Sequence, residues 1–318
     1  MKTKIKSLLI FALIILSVSL TKQLAAQQNS INFQVFYDQL SPYGQWVDYP
    51  NYGYVWIPDG GSDFTPYSTA GHWIFTDYGW TWVSDYDWGW APFHYGRWDY
   101  DNYYGWFWIP DNEWGPAWVN WRQAEGYYGW APMQPGVSIT FTFHREYNER
   151  TEHWIFVNAR DIDRPHVNLY FVNRSDNDRI IRNSKVIRNT YEDKNRNTTY
   201  VTGPDREDVR KVTGRKIRPV TVQENREPGQ NLRFGKLQIY RPQVNKNNDK
   251  EQRIAPSRVT NIKDLKESSE RRNTNQPKNV KPSNTRQERK SNAVNPQRNS
   301  TKEQTRKNRT DRDKRRPE

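Results

Sequence analysis

GQWVDYPNYGYVWIPD, residues 44–59, decides the reading of the fold, because the chain repeats it twice more. The second copy is GHWIFTDYGWTWVSD (71–85) and the third is GRWDYDNYYGWFWIPD (96–111). Each runs Gly-x-Trp, a short polar or tyrosine-rich stretch, Tyr-Gly, an aromatic pair spaced by two, and a Pro or Ser before Asp. Self-similarity at this short period marks an array of small supersecondary units. The aromatic pairs Tyr54/Trp56, Trp80/Trp82, Trp88/Trp90 and Trp106/Trp108 fall on one face of a strand, whereas a helix would set such partners about 200° apart. Turn residues at Asp59-Gly60-Gly61, Asp77-Tyr78-Gly79 and Asp111-Asn112-Glu113 favour hairpins. The prolines at 58, 92, 110, 116 and 132 suit strand ends and edges. YGWAPM (128–133) is the last turn of the pattern.

These features predict a mainly β fold: tryptophan-rich antiparallel hairpin repeats curled into a small barrel-like sheet, since a flat meander would leave too much indole wet. All fifteen tryptophans lie between Trp46 and Trp154. The sequence has no cysteine, so neither disulfides nor thiolate metal sites are available, and aromatic packing must hold the structure together.

The chain reads as four regions. Lys2, Lys4 and Lys6 followed by the apolar run Leu8–Leu20 and small residues to Ala26 read as a signal peptide over 1–26. Residues 27–136 are the repeat domain, with twelve acidic residues against Arg97 and Arg122. Residues 137–242 read as a mixed, mainly β segment, with strands expected at Val137–Phe143, Trp154–Val157, Val167–Val172, Lys216–Val222 and Lys236–Tyr240, and a strand pair in Ile180–Ile187. One short helix is expected near 204–213, with Pro204 at its start, acidic residues in its first turn and Gly214 as its stop. Residues 243–318 are basic and polar, too poor in apolar side chains to offset the entropy of ordering, and read as a disordered tail. An acidic head with a basic tail suits contact with anionic polymers or surfaces, or between head and tail.

Catalytic chemistry finds little purchase. None of His72, His94, His144, His153 and His166 sits in a metalloprotease, nucleophile-elbow or phosphate-loop motif. His94 with Asp85 and Ser84 has no supporting spacing. His144 and His153 could bind a metal together, but two histidines nine apart are common by accident. The Asp-x-Asp pairs at 85/87, 99/101, 161/163 and 176/178 lack the closing glutamate of a calcium loop and read as turn carboxylates. No catalytic, cofactor or metal residue is therefore assigned. What remains is aromatic surface. Fifteen tryptophans exceed what about 110 residues are expected to bury, so the surplus is expected to face out as a platform for stacking sugars or a protein. The candidate surface is Tyr54, Trp56, Trp80, Trp82, Trp88, Trp90, Trp106, Trp108, Trp118 and Trp121.

WGWAPFHYGRW (88–98), WGPAWVNWR (114–122) and YGWAPM (128–133) resemble the signatures of an uncharacterised family of exported bacterial envelope proteins, a domain of unknown function. The segment YVTGPDREDVRKVTGRKI (200–217) is similar to its continuation in some members. The resemblance implies export and an envelope context, and it supplies no catalytic residue. The expectation is a non-enzymatic exported protein, periplasmic, outer-surface or secreted, with a structural or adhesive role through an envelope protein or glycan. The alternative is a glycan-binding module for peptidoglycan or another cell-surface polysaccharide. No later stretch is apolar enough to serve as a transmembrane segment.

Overall fold

The computed structural model describes residues 31–61, 63–137, 139, 149–246 and 254–265. The signal-peptide reading, most of the strand expected at Val137–Phe143, and most of the tail lie outside the described residues.

Four hairpins carry the repeat. They are β2 (Gly44–Tyr49) with β3 (Gly53–Pro58), β4 (Gly71–Thr76) with β5 (Gly79–Ser84), β6 (Arg97–Asp101) with β7 (Gly105–Ile109), and β8 (Val119–Ala124) with β9 (Tyr127–Pro132). Each sets one tryptophan directly opposite another: Trp46 faces Trp56, Trp73 faces Trp82, Trp98 faces Trp108, and Trp121 faces Trp130. The cross-strand pair is therefore the repeating unit, and the fourth hairpin is a copy without the opening Gly-x-Trp. Gly53, Gly79, Gly105 and Gly126 close the loops with positive φ, which a side chain would strain. The glycines that open the first three copies have another cause. A Cβ on Gly44, Gly71 or Gly96 would sit 2.7, 2.6 or 2.7 Å from the indole of Trp56, Trp82 or Trp108.

The fold is mainly β and built of tryptophan-rich antiparallel hairpins, as expected, with the hairpins divided among three sheets that close no barrel. The first and third form a four-stranded sheet in the order β2-β3-β7-β6, joined where Trp56 faces Trp108. The second stands as a two-stranded sheet. The fourth lies at the centre of another four-stranded sheet, β10-β9-β8-β11, with β10 (Ile155–Asn158) and β11 (Lys185–Ile187) on its edges. Rings rather than ladders connect these sheets. Trp73 of the second hairpin lies 4.6 Å from Trp121 and 5.4 Å from Trp130 of the fourth, centroid to centroid.

The downstream segment wraps the repeat instead of forming a separate layer. Thr202 O accepts from Trp80 N at 2.9 Å, Phe75 O accepts from Val220 N at 2.8 Å, and Tyr240 packs on Trp90 at 5.0 Å. All described residues belong to one unit, 1–275. The expected helix forms as Arg206–Thr213, capped by the Asp205 carboxylate on Glu207 N and Asp208 N and stopped by left-handed Gly214. Strands form near three of the other expected places, as β10 near Trp154–Val157, β14 (Thr221–Glu224) and β16 (Lys236–Ile239), and β15 (Gln230–Arg233) lies beside β16.

The strand expected at Val167–Val172 does not form, and of the strand pair expected at Ile180–Ile187 only Lys185–Ile187 is a strand. Val167–Tyr170 is a 3-10 turn with Val167 buried and Leu169 and Tyr170 exposed, so the stretch has no period-two face to bury. Asn177–Arg182 is helical, because Asn177 anchors it by donating to the carbonyls of Thr151 and Trp154, and Ile180 fills the core beside Trp154 and Phe156. An additional helix, Gln34–Leu40, gave no clear sequence signal; it buries Phe36, Tyr37 and Leu40 against the first sheet's tryptophans. Within the region read as a tail, Val244–Asn245 pair in parallel with β1 (Ile31–Asn32), and 254–265 pack on the first sheet.

Candidate binding surface

All fifteen tryptophans are buried, none more than 8% exposed. Of the residues expected to form an open platform, Trp56, Trp80, Trp82, Trp88, Trp90, Trp106, Trp108, Trp118 and Trp121 thus present no open ring to solvent, and Tyr54 is half-buried edge-on to Tyr37. The expected surplus of rings does not exist. Residues beyond 137 supply the missing cover: Pro204 O accepts from the Trp80 indole at 3.0 Å, and the Arg241 guanidinium lies 4.9 Å over Trp114. Other indoles are held from within the repeat. Trp56, Trp108, Trp118 and Trp130 donate to the carbonyls of Leu40, Tyr95, His94 and Tyr67. Arg97 stacks 3.5 Å over the Trp118 ring, and burial pulls it down to about 10, still charged at neutral pH.

Tyrosines, not tryptophans, face out. On the first sheet the tryptophans Trp46, Trp56, Trp98 and Trp108 point inward, so the alternate residues Val47, Tyr49, Val55, Phe107, Asp99 and Asp101 share the opposite face. Tyr49 stacks on Phe107 at 4.8 Å and lies beside Tyr52 at 5.8 Å. The Tyr49 hydroxyl donates to Asp101 and that of Tyr52 to Asp99, each at 3.2 Å. Desolvation first, then the neighbouring Asp101, pushes Tyr49 up to about 12; desolvation and then Asp99 raise Tyr52. Both hydroxyls therefore remain donors at neutral pH. Tyr52 (40% exposed) and Tyr103 (58%) expose ring beside these carboxylates, at the tips of two adjacent hairpins. The arrangement can stack a flat partner and accept hydrogen bonds from it, or attract a cation. Sequence reasoning missed it because the period-two rule marks which rings share a face and not which face is wet. The Tyr-rich tips (Tyr49-Pro-Asn-Tyr52, Tyr103-Tyr104) were the available signal.

The histidines and aspartates considered in the sequence take the following places. His94 is wholly buried, with Nδ1 3.0 Å from Gly115 O and its ring stacked on Trp114, and burial pulls it down to about 4. The Ser84 hydroxyl accepts from Tyr86 N and donates to Ala70 O. His153 Nδ1 lies 2.5 Å from the buried carboxylate of Glu149, and its ring packs on Trp106; His144 lies outside the described residues. Five carboxylates of the Asp-x-Asp pairs serve as internal acceptors. Asp99 and Asp101 take tyrosine hydroxyls, Asp163 pairs with Arg215, Asp161 with Arg164, and Asp176 with Arg179. Among the described residues no three His, Cys, Asp or Glu side chains are grouped to hold a metal ion, and no helix is long and apolar enough to cross a membrane.

All four hairpins, with the tyrosine tips, lie in a contiguous stretch, and that stretch can be placed. Residues 37–137 match the model of a family of unknown function (DUF6600). The match spans every cross-strand tryptophan pair and ends before the segment that wraps them. No curated protein matches the chain, and no solved structure matches it.

Proposed function

We propose that the chain is a non-enzymatic, exported protein of the bacterial envelope with a structural or adhesive role, acting through surface contacts with an envelope protein or glycan. One observation carries the reading: the tryptophans are consumed by the interior, while exposed tyrosine rings gather with carboxylates at one sheet end. Such a surface offers ring faces for stacking and carboxylate acceptors for the hydroxyls or amides of a partner. The signal-like N-terminus and the resemblance of the repeat support export to the periplasm, the outer surface or the medium.

A glycan-binding module for peptidoglycan or another cell-surface polysaccharide is the second reading. It is favoured by the pairing of Tyr52 with Asp99, since sugars stack their C–H faces on rings while carboxylates take their hydroxyls. Calorimetric titration with peptidoglycan fragments, set beside affinity capture from envelope extracts, tests both. Heat that disappears in a Tyr52→Ala/Tyr103→Ala variant supports the glycan module. Stoichiometric capture of one envelope protein, lost in the same variant, supports the scaffold. Capture and binding unaffected by the substitutions would refute this surface as the contact site.

A further inference from the structure

Residues 254–265 lie on the first sheet as a peptide lies in a groove. Thr260 N donates to Trp46 O at 2.8 Å, placing Thr260 beside Val47 as a parallel bridge on the edge strand β2. The Gln34 side chain reads the backbone of Ala255 in both senses, donating to its carbonyl at 3.2 Å and accepting from its N–H at 3.3 Å. Tyr104 donates to Ile262 O at 3.1 Å, and Gln45 and Thr260 meet through their side-chain oxygens at 3.4 Å. Ile262 and Leu265, three apart on one short turn, cover Val47, Val55 and Phe107, which would otherwise be an open apolar patch. Edge pairing, a side-chain clamp and two apolar anchors form a recognition site for one extended segment.

We propose that this groove also accepts the same segment from a second copy of the chain, so that copies join by exchanging residues 254–265. Three observations support this occupant. The groove is matched to a sequence that every copy carries. The segment meets β2 through an isolated bridge on the outer edge of the sheet, so it can leave without opening the sheet behind it. The chain before it is anchored separately, through Val244–Asn245 on β1 and the Lys246–Asp111 ion pair at 2.8 Å. Exchange of an identical element needs no new interface, and a head-to-tail exchange that does not close on itself extends into chains of molecules. The inference concerns the β2 edge and stands apart from whether the adjoining tyrosine tips bind glycan or protein.

The absence of native cysteine makes a direct test available. A full-length Gln45→Cys/Thr260→Cys chain is expected to form an intrachain disulfide under mild oxidation; its failure to form would refute the groove itself. For exchange, a Gln45→Cys chain and a Thr260→Cys chain are mixed at high concentration and oxidised. The expected result is a mixed disulfide dimer several-fold in excess of either self-dimer, reduced to the statistical ratio when Ile262→Asp and Leu265→Asp are added to the Thr260→Cys chain. A mixed dimer at the statistical ratio from the start would overturn exchange while leaving the intrachain contact intact.

Discussion

Gly71 shows how tightly individual residues are specified. Its backbone φ is ordinary, so the residue is there for space: a Cβ would meet Trp82 Cε2 and Val83 O, each at 2.6 Å. Gly71→Ala is expected to cost about 1–3 kcal/mol, as overpacking does in a dense core. Urea titration monitored by tryptophan emission measures it, and a change under ~0.3 kcal/mol would show that the indole has room to move. His94 gives a residue-level dependence on pH. Its folded pKa of about 4 lies below the usual 6.5, so the unfolded chain binds the proton more readily between those values. Its contribution is full above pH 6.5 and falls as the pH drops towards 4, by about 3 kcal/mol in all. Carboxylates titrate in the same window. The measurement is therefore the difference between wild type and His94→Gln, whose stability curve should fall less steeply from pH 7 to 4.5. Parallel curves would mean that His94 is protonated in place.

The hairpins were the legible elements. Gly-x-Trp and Tyr-Gly are local signals, and a Trp-Trp register follows from turn length, which is also local. The helix at Arg206–Thr213 was legible for the same reason, since Asp205 and Gly214 cap it within the segment itself. Val167–Tyr170 and Asn177–Arg182 were not legible, because their conformations depend on partners elsewhere: Asn177 bonds carbonyls more than twenty residues away. Sheet closure was misread for a related reason. Neighbouring hairpins meet through rings such as Trp73 and Trp121, and strand patterns contain no information about that contact.

The wetness of the tryptophans was the least legible property, because it is set by the whole molecule. Trp80 finds its acceptor at Pro204, 124 residues along the chain, and Trp90 is covered by Tyr240. Residues 27–136 taken alone lack the cover that Pro204 and Tyr240 give to Trp80 and Trp90. A chain ending at Val137 is expected to show red-shifted tryptophan emission, while a chain ending at Lys246 does not. Identical spectra for the two would mean that the repeat closes its own core.

Oxidation of the native full-length chain by limiting N-bromosuccinimide, followed by peptide mapping, asks directly whether any tryptophan is open to solvent. With all fifteen indoles interior, no tryptophan should be modified before unfolding, while free indole in the same tube is consumed. Rapid modification of Trp80, Trp90 or Trp106 in the folded chain would contradict the closed aromatic core and restore the tryptophans as a binding platform.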